Sequence, residues 1–454
     1  MKAKVEKQKP LRGPHYARRA WSWTAYVIST GIQALMIQQI IYYLTESVML
    51  SATTASAIVA VSKLFDGISD LIAGVIIDKT RTRWGTARPY SLFSILMWVA
   101  VVLMFSVPDM PQTGKVIYVF IMYNLSETVA NTMLLASQTV HLKKGYMVEE
   151  QTSVTSFAGF IAGIVSLICS IILPFMIKAF GTQEHGWTLI SLVFAVPCLV
   201  LSLLKFFFVP EDYDTVIEKP QKISLSVIIK GIAGNKFLLM YLLTFFINRV
   251  VSSFGITNYY FQYVVGDLNL AGIVSACAIL GMFITPFIPT LERKLGIRKT
   301  LMIFQIGGGL GMLLMFLAPH NPLVLGFGMA MNSVGGMPLM MLASIVVIQC
   351  MKYSEWKSGA RIDGIVASTN GFITKLGNAL GVLISGFLLS LTGYDGALAV
   401  QPDATLGMLQ FLYIAGPAIG MILCGIIMRF YTLEKQLPQI EEELKIRNSN
   451  TAEE

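Results

Sequence analysis

The chain has 454 residues, of which 55% are apolar and only 13% charged, with a formal net charge of +8. A charged share about half that of globular proteins cannot clothe a water-facing surface of this length, which excludes a soluble protein of two or three domains. The basic excess recurs in short turns between apolar runs instead of forming one patch, and no recognition module is readable, which excludes nucleic acid as the partner.

Residues 1–19 form a basic N-terminal arm with Lys2, Lys4, Lys7, Lys9, Arg12, Arg18 and Arg19. The apolar run behind it is too long for a signal-peptide core and no small-residue cleavage site follows, so the first helix is expected to stay in the mature protein. A helix of about 20 apolar residues crosses a bilayer core. Runs of that kind fall near 20–44, 52–77, 90–107, 116–141, 153–178, 187–208, 237–265, 270–290, 299–318, 322–351, 365–391 and 405–430. The chain therefore reads as an all-α membrane protein with twelve transmembrane helices.

Lys and Arg concentrate in the even-numbered turns: Lys79, Arg81, Arg83 and Arg88; Lys143 and Lys144; Lys219, Lys222, Lys230 and Lys236; Arg293, Lys294, Arg298 and Lys299; Lys352, Lys357 and Arg361. The odd-numbered loops hold little beyond Lys115 and Lys178. That asymmetry predicts cytoplasmic even turns and two cytoplasmic termini. The longest polar interruption, 209–236, lies almost midway and reads as a cytoplasmic linker between six-helix bundles at 20–208 and 237–430, with a cytoplasmic tail at 431–454. The turn between helices 8 and 9 (Arg293-Lys-Leu-Gly-Ile-Arg-Lys) repeats the basic turn between helices 2 and 3. Two pseudo-symmetric bundles with matching turns predict the major facilitator fold. Gln436–Glu454, short and charged, reads as a solvated tail.

The five cysteines (Cys169, Cys198, Cys277, Cys350, Cys424) lie inside apolar runs without metal or disulfide spacing, and read as packing residues, as do the 24 methionines. Gly307-Gly-Gly and Gly335-Gly follow no strand, so they read as helix contacts and not phosphate loops. His15, His141, His185 and His320 sit near helix ends or in loops and form no zinc or triad constellation. No enzyme, cofactor or transition-metal site is expected.

Six ionisable residues fall inside apolar runs: Lys63, Asp66, Asp70, Glu127, Arg249 and Lys375. At about 2.5–3.5 kcal/mol each near the bilayer centre, six uncompensated charges would cost on the order of 15–20 kcal/mol, more than a typical folding stability. They are expected to face the bundle interior, either as internal salt bridges or as an ion and solute site near the midplane. Asp66 and Asp70 are i, i+4 on one helix face, with Lys63 three residues before Asp66. Two adjacent carboxylates repel unless a cation joins them or one takes a proton, so the pair reads as a coupling-ion site for Na⁺ or H⁺. Glu127 and Asn131 repeat the i, i+4 spacing, and Asn131 is a candidate neutral ligand.

Lys63-Leu-Phe-Asp-Gly-Ile-Ser-Asp70 followed by Asp78-Lys-Thr-Arg-Thr-Arg-Trp-Gly-Thr-Ala-Arg-Pro89 resembles the signature of the glycoside–pentoside–hexuronide:cation symporters. Tyr259-Tyr-Phe-Gln-Tyr-Val-Val-Gly-Asp267, and the stretch from Tyr353-Ser-Glu-Trp-Lys357 through Arg361 and Asp363 to Lys375, extend the resemblance over both halves. The resemblance implies cation-coupled sugar or glycoside transport by alternating access. It implies a cation at Asp66 and Asp70 with Asn131, Lys63 and Lys375 at the family's basic positions, and a cytoplasmic charge network of Asp78, Arg81, Arg83, Arg88, Arg361 and Asp363. Melibiose-type members have an acid on helix 1, where Thr30 stands, a second acid on helix 4, where Leu134 stands, and an aromatic residue where Gln138 stands. Glu127 and Arg249 do not match that pattern. Two readings stay open: an anionic solute such as a hexuronide read by Arg249 or Lys375, since a buried guanidinium suits a planar carboxylate, or a Glu127–Arg249 salt bridge with a neutral sugar.

The function expected is secondary active, cation-coupled (Na⁺ or H⁺) symport of a sugar, glycoside or hexuronide by a monomer in the cell membrane. Asp66, Asp70 and Asn131 are the expected cation ligands; Thr30, Gln33, Lys63, Glu127, Arg249 and Lys375 are expected to line the solute pocket. The alternatives are an uncoupled facilitator and a transporter of another amphiphile, such as a lysolipid. The partners expected are the solute and the lipid bilayer.

Overall fold

The computed structural model describes residues 13–213, 234–358 and 363–453. Among these the chain is helical throughout, with a lone β-bridge between Thr82 and Gly85. Helix α1 runs Pro14–Gln38 and resumes as Ile40–Glu46 after a break at Gln39; α2 is Ala52–Lys79. Helix α3 (Phe93–Met104) is approached through the 3-10 turn Arg88–Leu92. Helix α4 comprises Gln112–Asn124, the π-helical turn Leu125–Asn131 and Thr132–Gly145. Then come α5 (Val148–Phe180) and α6 (Gly186–Phe208). Helix α7 is Lys236–Ser252 bent by 44° into Thr257–Val265. The run Asn269–Leu317 is broken at Gly296 (φ 81°, ψ 162°) into α8 (269–295) and α9 (297–317). It is followed by α10 (Pro322–Ser358), α11 (Asp363–Leu391), α12 (Asp403–Met428) and α13 (Leu433–Glu453).

Seven helical runs among the described residues are long and apolar enough to cross a membrane, or eight counting the bent α7. This is fewer than the twelve expected, for three local reasons. Helix α3 with its leading turn, Arg88–Met104, is short; α2 and α4 carry the polar and charged residues of the site; and α8 and α9 count as one run.

The chain clusters into two compact units, residues 1–50 with 64–217 and residues 51–63 with 218–454. The first turns of α2 join the second unit because α11 is cut away for them: a Cβ on Gly386 would stand 2.0 Å from Ser56 Oγ. In the first unit Trp23, Tyr146, Val154 and Val209 share one buried core. In the second, Phe237, Tyr241, Leu301, Val346 and Tyr353 pack with Tyr431, Leu433, Ile440 and Leu444. Helix α7 starts on a specific cap. Buried Asn235 accepts from the amides of Phe237 and Leu238 and donates to Cys350 O and Ser354 Oγ, each at 2.8 Å, which ties the helix start to α10.

The repeat expected from the basic turns includes a carboxylate in each unit. After α6, Glu211 accepts from the amides of Thr86, Ala87 and Arg88 at 2.9, 2.6 and 2.6 Å. After α12, Glu434 accepts from the amides of Ile297 and Arg298. Each carboxylate sits against a positive-φ glycine: a Cβ on Gly85 would meet Glu211 Cδ at 2.5 Å, and one on Gly296 would meet Glu434 Oε2 at 3.0 Å. Only glycine gives both the backbone angle and the room.

The solvated tail expected at Gln436–Glu454 is corrected. Helix α13 buries Ile440 and Leu444 in the second core, and Lys352 pairs with Glu441 at 2.5 Å. The Trp356 indole N–H, helped by Gln439, holds the Glu443 carboxyl below the usual carboxylate range. The apolar spacing Leu433, Ile440, Leu444 under a charged sequence is what drives docking. Glu434→Ala, which leaves two amides without their charged acceptor, is expected to cost about 2 kcal/mol. It should lower the thermal midpoint in detergent and speed hydrogen exchange throughout α13. The Glu443 carboxyl, held low by Trp356 and Gln439, contributes fully above the free carboxyl value, about 4.3, and loses its contribution as pH falls through its lowered value. Exchange in α13 should therefore also accelerate below about pH 4.

Candidate cation and solute site

The first unit collects polar side chains from α1, α2 and α4. Their meeting point is the π-helical turn Leu125–Asn131, whose extra residue per turn shifts the inward face of α4 along a polar run: Asn124, Glu127, Thr128, Asn131 and Thr132. Glu127 is held by neutral donors. Gln33 Nε2 from α1 and Ser126 Oγ (3.3 Å) reach Oε1, and Asn131 Nδ2 reaches Oε2 at 3.2 Å. Such a cage fixes the orientation of the carboxyl group.

One residue on, Thr128 Oγ1 bonds to Asp66 Oδ1 of α2 and lies 3.0 Å from Asn124 Oδ1. Asn124 is oriented by its own Nδ2, which donates to Phe120 O at 2.7 Å. The three oxygens share one hydroxyl hydrogen between two acceptors, so the cluster is rich in lone pairs and carries one carboxylate. Oxygen-only donors of this kind suit a hard cation such as Na⁺, and the carboxylate suits a proton equally well. Ser69 and Thr132 hydroxyls, 3.2 Å apart, join α2 to α4 below it.

The sequence-derived residues divide accordingly. Asp66, Gln33 and Glu127 stand in this network. Asn131 does as well, but as a donor to Glu127, while Thr128 is the neutral oxygen beside Asp66. Asp70 follows one turn after Asp66 and is exposed, and Lys63 is half-buried one turn before it. The Thr30 hydroxyl is directed at its own helix, at Val27 O (3.1 Å) and Tyr26 O (3.3 Å). Thr128 was missed because an α-helical register puts it off the Glu127–Asn131 face; Asn124 lies on that face, at i−3 from Glu127 and i−7 from Asn131, and this spacing was the available signal.

In the second unit, Arg249 of α7 is half-buried. Its Nη2 donates to Met340 Sδ at 2.8 Å, its guanidinium lies over the Phe245 ring at 4.6 Å, and its Nε has no partner. No carboxylate neutralises it among the described residues. Gly377 and Gly381 let α11 press against α7: a Cβ on Gly377 would stand 2.8 Å from Arg249 Cβ, and one on Gly381 2.2 Å from Val250 O. At the same contact Ser253 Oγ donates to Asn378 Oδ1 at 2.8 Å. Lys375, half a turn earlier on α11, is half-buried.

The expected charge network is only partly visible. Arg88 donates from Nε to Phe206 O at 2.6 Å and from Nη2 to Phe207 O, which caps the C-terminus of α6. Arg81 is exposed and donates to Thr80 O, and Arg83 stacks on Trp84 at 4.6 Å. Arg361 and the side chains of Asp78 and Asp363 lie outside the described residues. A buried charge missing from the six expected is Lys205, fully buried near the end of α6, with Nζ 3.6 Å from the Tyr26 ring centroid and 4.9 Å from that of Trp23. Two aromatic faces are thus the surroundings of its amine.

Polar side chains set among apolar helices, a carboxyl and an oxygen cluster in the first unit and a guanidinium in the second, are of the kind that membrane transporters use. The sequence profile of MFS/sugar transport proteins matches residues 24–435, and the chain belongs to that family. It is 24% identical over 428 residues to an isoprimeverose transporter of Lactiplantibacillus pentosus, covering 92% of this chain and 88% of that one. It is 27% identical to the uncharacterized symporter YnaJ of Bacillus subtilis (strain 168), with 92% of each covered, and 26% identical to the glucuronide carrier protein homolog of Escherichia coli (strain K12), with 89% and 90% covered. Its fold is similar to that of nucleoside transporter NupG (TM-score 0.62, 14% identity, 92% and 100% covered). The resemblance drawn from Lys63–Asp70 and the basic turn holds at the level of this sugar-transport family of multi-pass membrane proteins.

Proposed function

We propose that the protein is a cation-coupled symporter that carries a hexuronide or related glycoside across the cell membrane by alternating access. Counting the bent α7 as one span and Asn269–Leu317 as two, and adding α2, α3 and α4, gives twelve spans, with both termini and the basic turns in the cytoplasm. The observation that carries the reading is the pair of adjacent residues in the π-turn of α4. Thr128 stands in the oxygen cluster with Asp66 and Asn124, and Glu127 stands in the amide cage with Gln33 and Asn131.

The cation, Na⁺ or H⁺, binds at Asp66, with Asp70 supplying a second carboxylate on the same helix face. The solute's hydroxyls bind at Glu127. A ligand on Thr128 fixes the peptide that Glu127 shares with it, so each ligand orders the other's site. Coupling then needs no distant relay, because the two sites share one backbone segment. The unneutralised Arg249, with Lys375 nearby in the sequence of α11, supports an anionic solute, since a guanidinium without a carboxylate of its own can take one from the ligand. The relative named as a glucuronide carrier homolog is in keeping with this.

A thermal-shift screen of sugars and uronides with and without Na⁺, at several pH values, tests the reading. Solute and cation together should raise the midpoint more than the sum of the two alone, because linkage is reciprocal. Strict additivity for every solute would favour an uncoupled facilitator.

A further inference from the structure

At the end of the first unit opposite the Arg81–Arg88 turn, the loops after α1, α3 and α5 enclose a cavity of about 560 Å³. That volume falls within the range of small-molecule sites, about 300–1,000 Å³. Its wall is an aromatic cluster: Phe105 and Trp187 stack at 5.5 Å, and Tyr43 meets each of them at 5.1 Å. Trp187 is only 4% exposed, and the surface it keeps open faces the loops that line the cavity. The rim is polar on both sides, with Asp109 and Lys115 from the start of α4 and Glu184 and His185 from the start of α6.

Backbone strain points to the same place. Among the described residues two non-glycine positions have positive φ: His185 (59°) on the rim and Met49 (61°), next to the lining residue Val48. Left-handed backbone at such residues is uncommon and persists where the surroundings hold it, commonly at binding sites. Both strained positions border one cavity, although the described chain offers loops at many other places.

The geometry points to a second, peripheral carbohydrate site here, one that takes a hexose-sized pyranoside. The rim mixes acids with a lysine, and Glu184 already lies 3.8 Å from His185, so a polyol suits it better than a bare ion. Asp109 and Glu184 accept its hydroxyls, and Trp187 offers the ring edge and the N–H. The inference rests on the sugar-symporter reading, by which this end faces outward and the cavity gathers solute before transport.

Ligand-observed saturation-transfer NMR on the full chain in nanodiscs, with methyl β-D-glucoside as the probe, tests the site. Two variants close it by different means: Asp109→Ala/Glu184→Ala removes the acceptors, and Ser47→Trp fills the space. The signal is expected to fall at least fivefold in both and to persist in Glu127→Gln. An undiminished signal in both cavity variants, or no signal in the unmodified protein, overturns the peripheral site. If Glu127→Gln alone removes the signal, the peripheral site is overturned while the symporter reading stands. If the cavity variants remove the signal and Glu127→Gln transports normally, the peripheral site stands and the central one is wrong.

Discussion

Asp66→Asn in proteoliposomes is expected to abolish accumulation against a gradient while leaving equilibrative exchange of solute measurable. The substitution keeps the size and the oxygen beside Thr128 Oγ1 but removes the carboxylate from the three-oxygen cluster. Without that charge, Na⁺ keeps only neutral ligands there, and a proton has no acceptor. The loss of one charge-assisted contact, about 3 kcal/mol, corresponds to a fall in cation affinity of about 100-fold. Thr128→Ala removes a neutral ligand and should cost closer to 10-fold, with accumulation recovered at high cation concentration. Asp70→Asn is the informative companion. Asp70 is exposed one turn along the same face, so a smaller effect there makes Asp66 the principal ligand, and an equal effect makes the pair act together. Unimpaired accumulation by Asp66→Asn would remove the cation from this cluster and with it the coupling scheme.

The large features were legible in the sequence because membrane burial makes polar residues conspicuous. Asp66 and Glu127 stand out against apolar neighbours, and insertion costs alone require them to face inward. Gln33 was legible as a polar residue one helical turn from Thr30 in an apolar helix. What escaped was what depends on backbone register. A regular α-helix puts Glu127 and Asn131 on one face and Thr128 off it, but the π-turn widens that face so that Asn131 serves Glu127 and Thr128 serves Asp66. The docked α13 escaped for another reason: three apolar residues in a charged stretch are too few to signal burial until a groove on α9 and α10 is there to receive them. Glu211 and Glu434 looked like linker and tail charges, and only the folded backbone reveals the amides they cap. Lys205 lay close to a helix end, where a lysine ordinarily extends to water.

Arg249→Gln is the substitution expected to separate a hexuronide from its uncharged glucoside. Arg249 has a sulfur and an aromatic face for company and an Nε without a partner. Among the described residues no acid repays the burial of this partly desolvated cation, and its removal should leave the thermal midpoint of the ligand-free protein unchanged or slightly higher. For an anionic solute the guanidinium supplies the counter-charge. Losing such a hydrogen-bonded charge pair costs about 2–5 kcal/mol, so glucuronide uptake efficiency should fall by at least about 30-fold while that of the matched glucoside stays within about threefold. Arg249→Lys keeps the charge but not the planar fork and should fall between the two for the glucuronide. Equal losses for both solutes would assign Arg249 a packing role at the α7–α11 contact, where Gly377 already holds the helices close. The solute would then be a neutral glycoside, recognised by Glu127, Gln33 and Asn131.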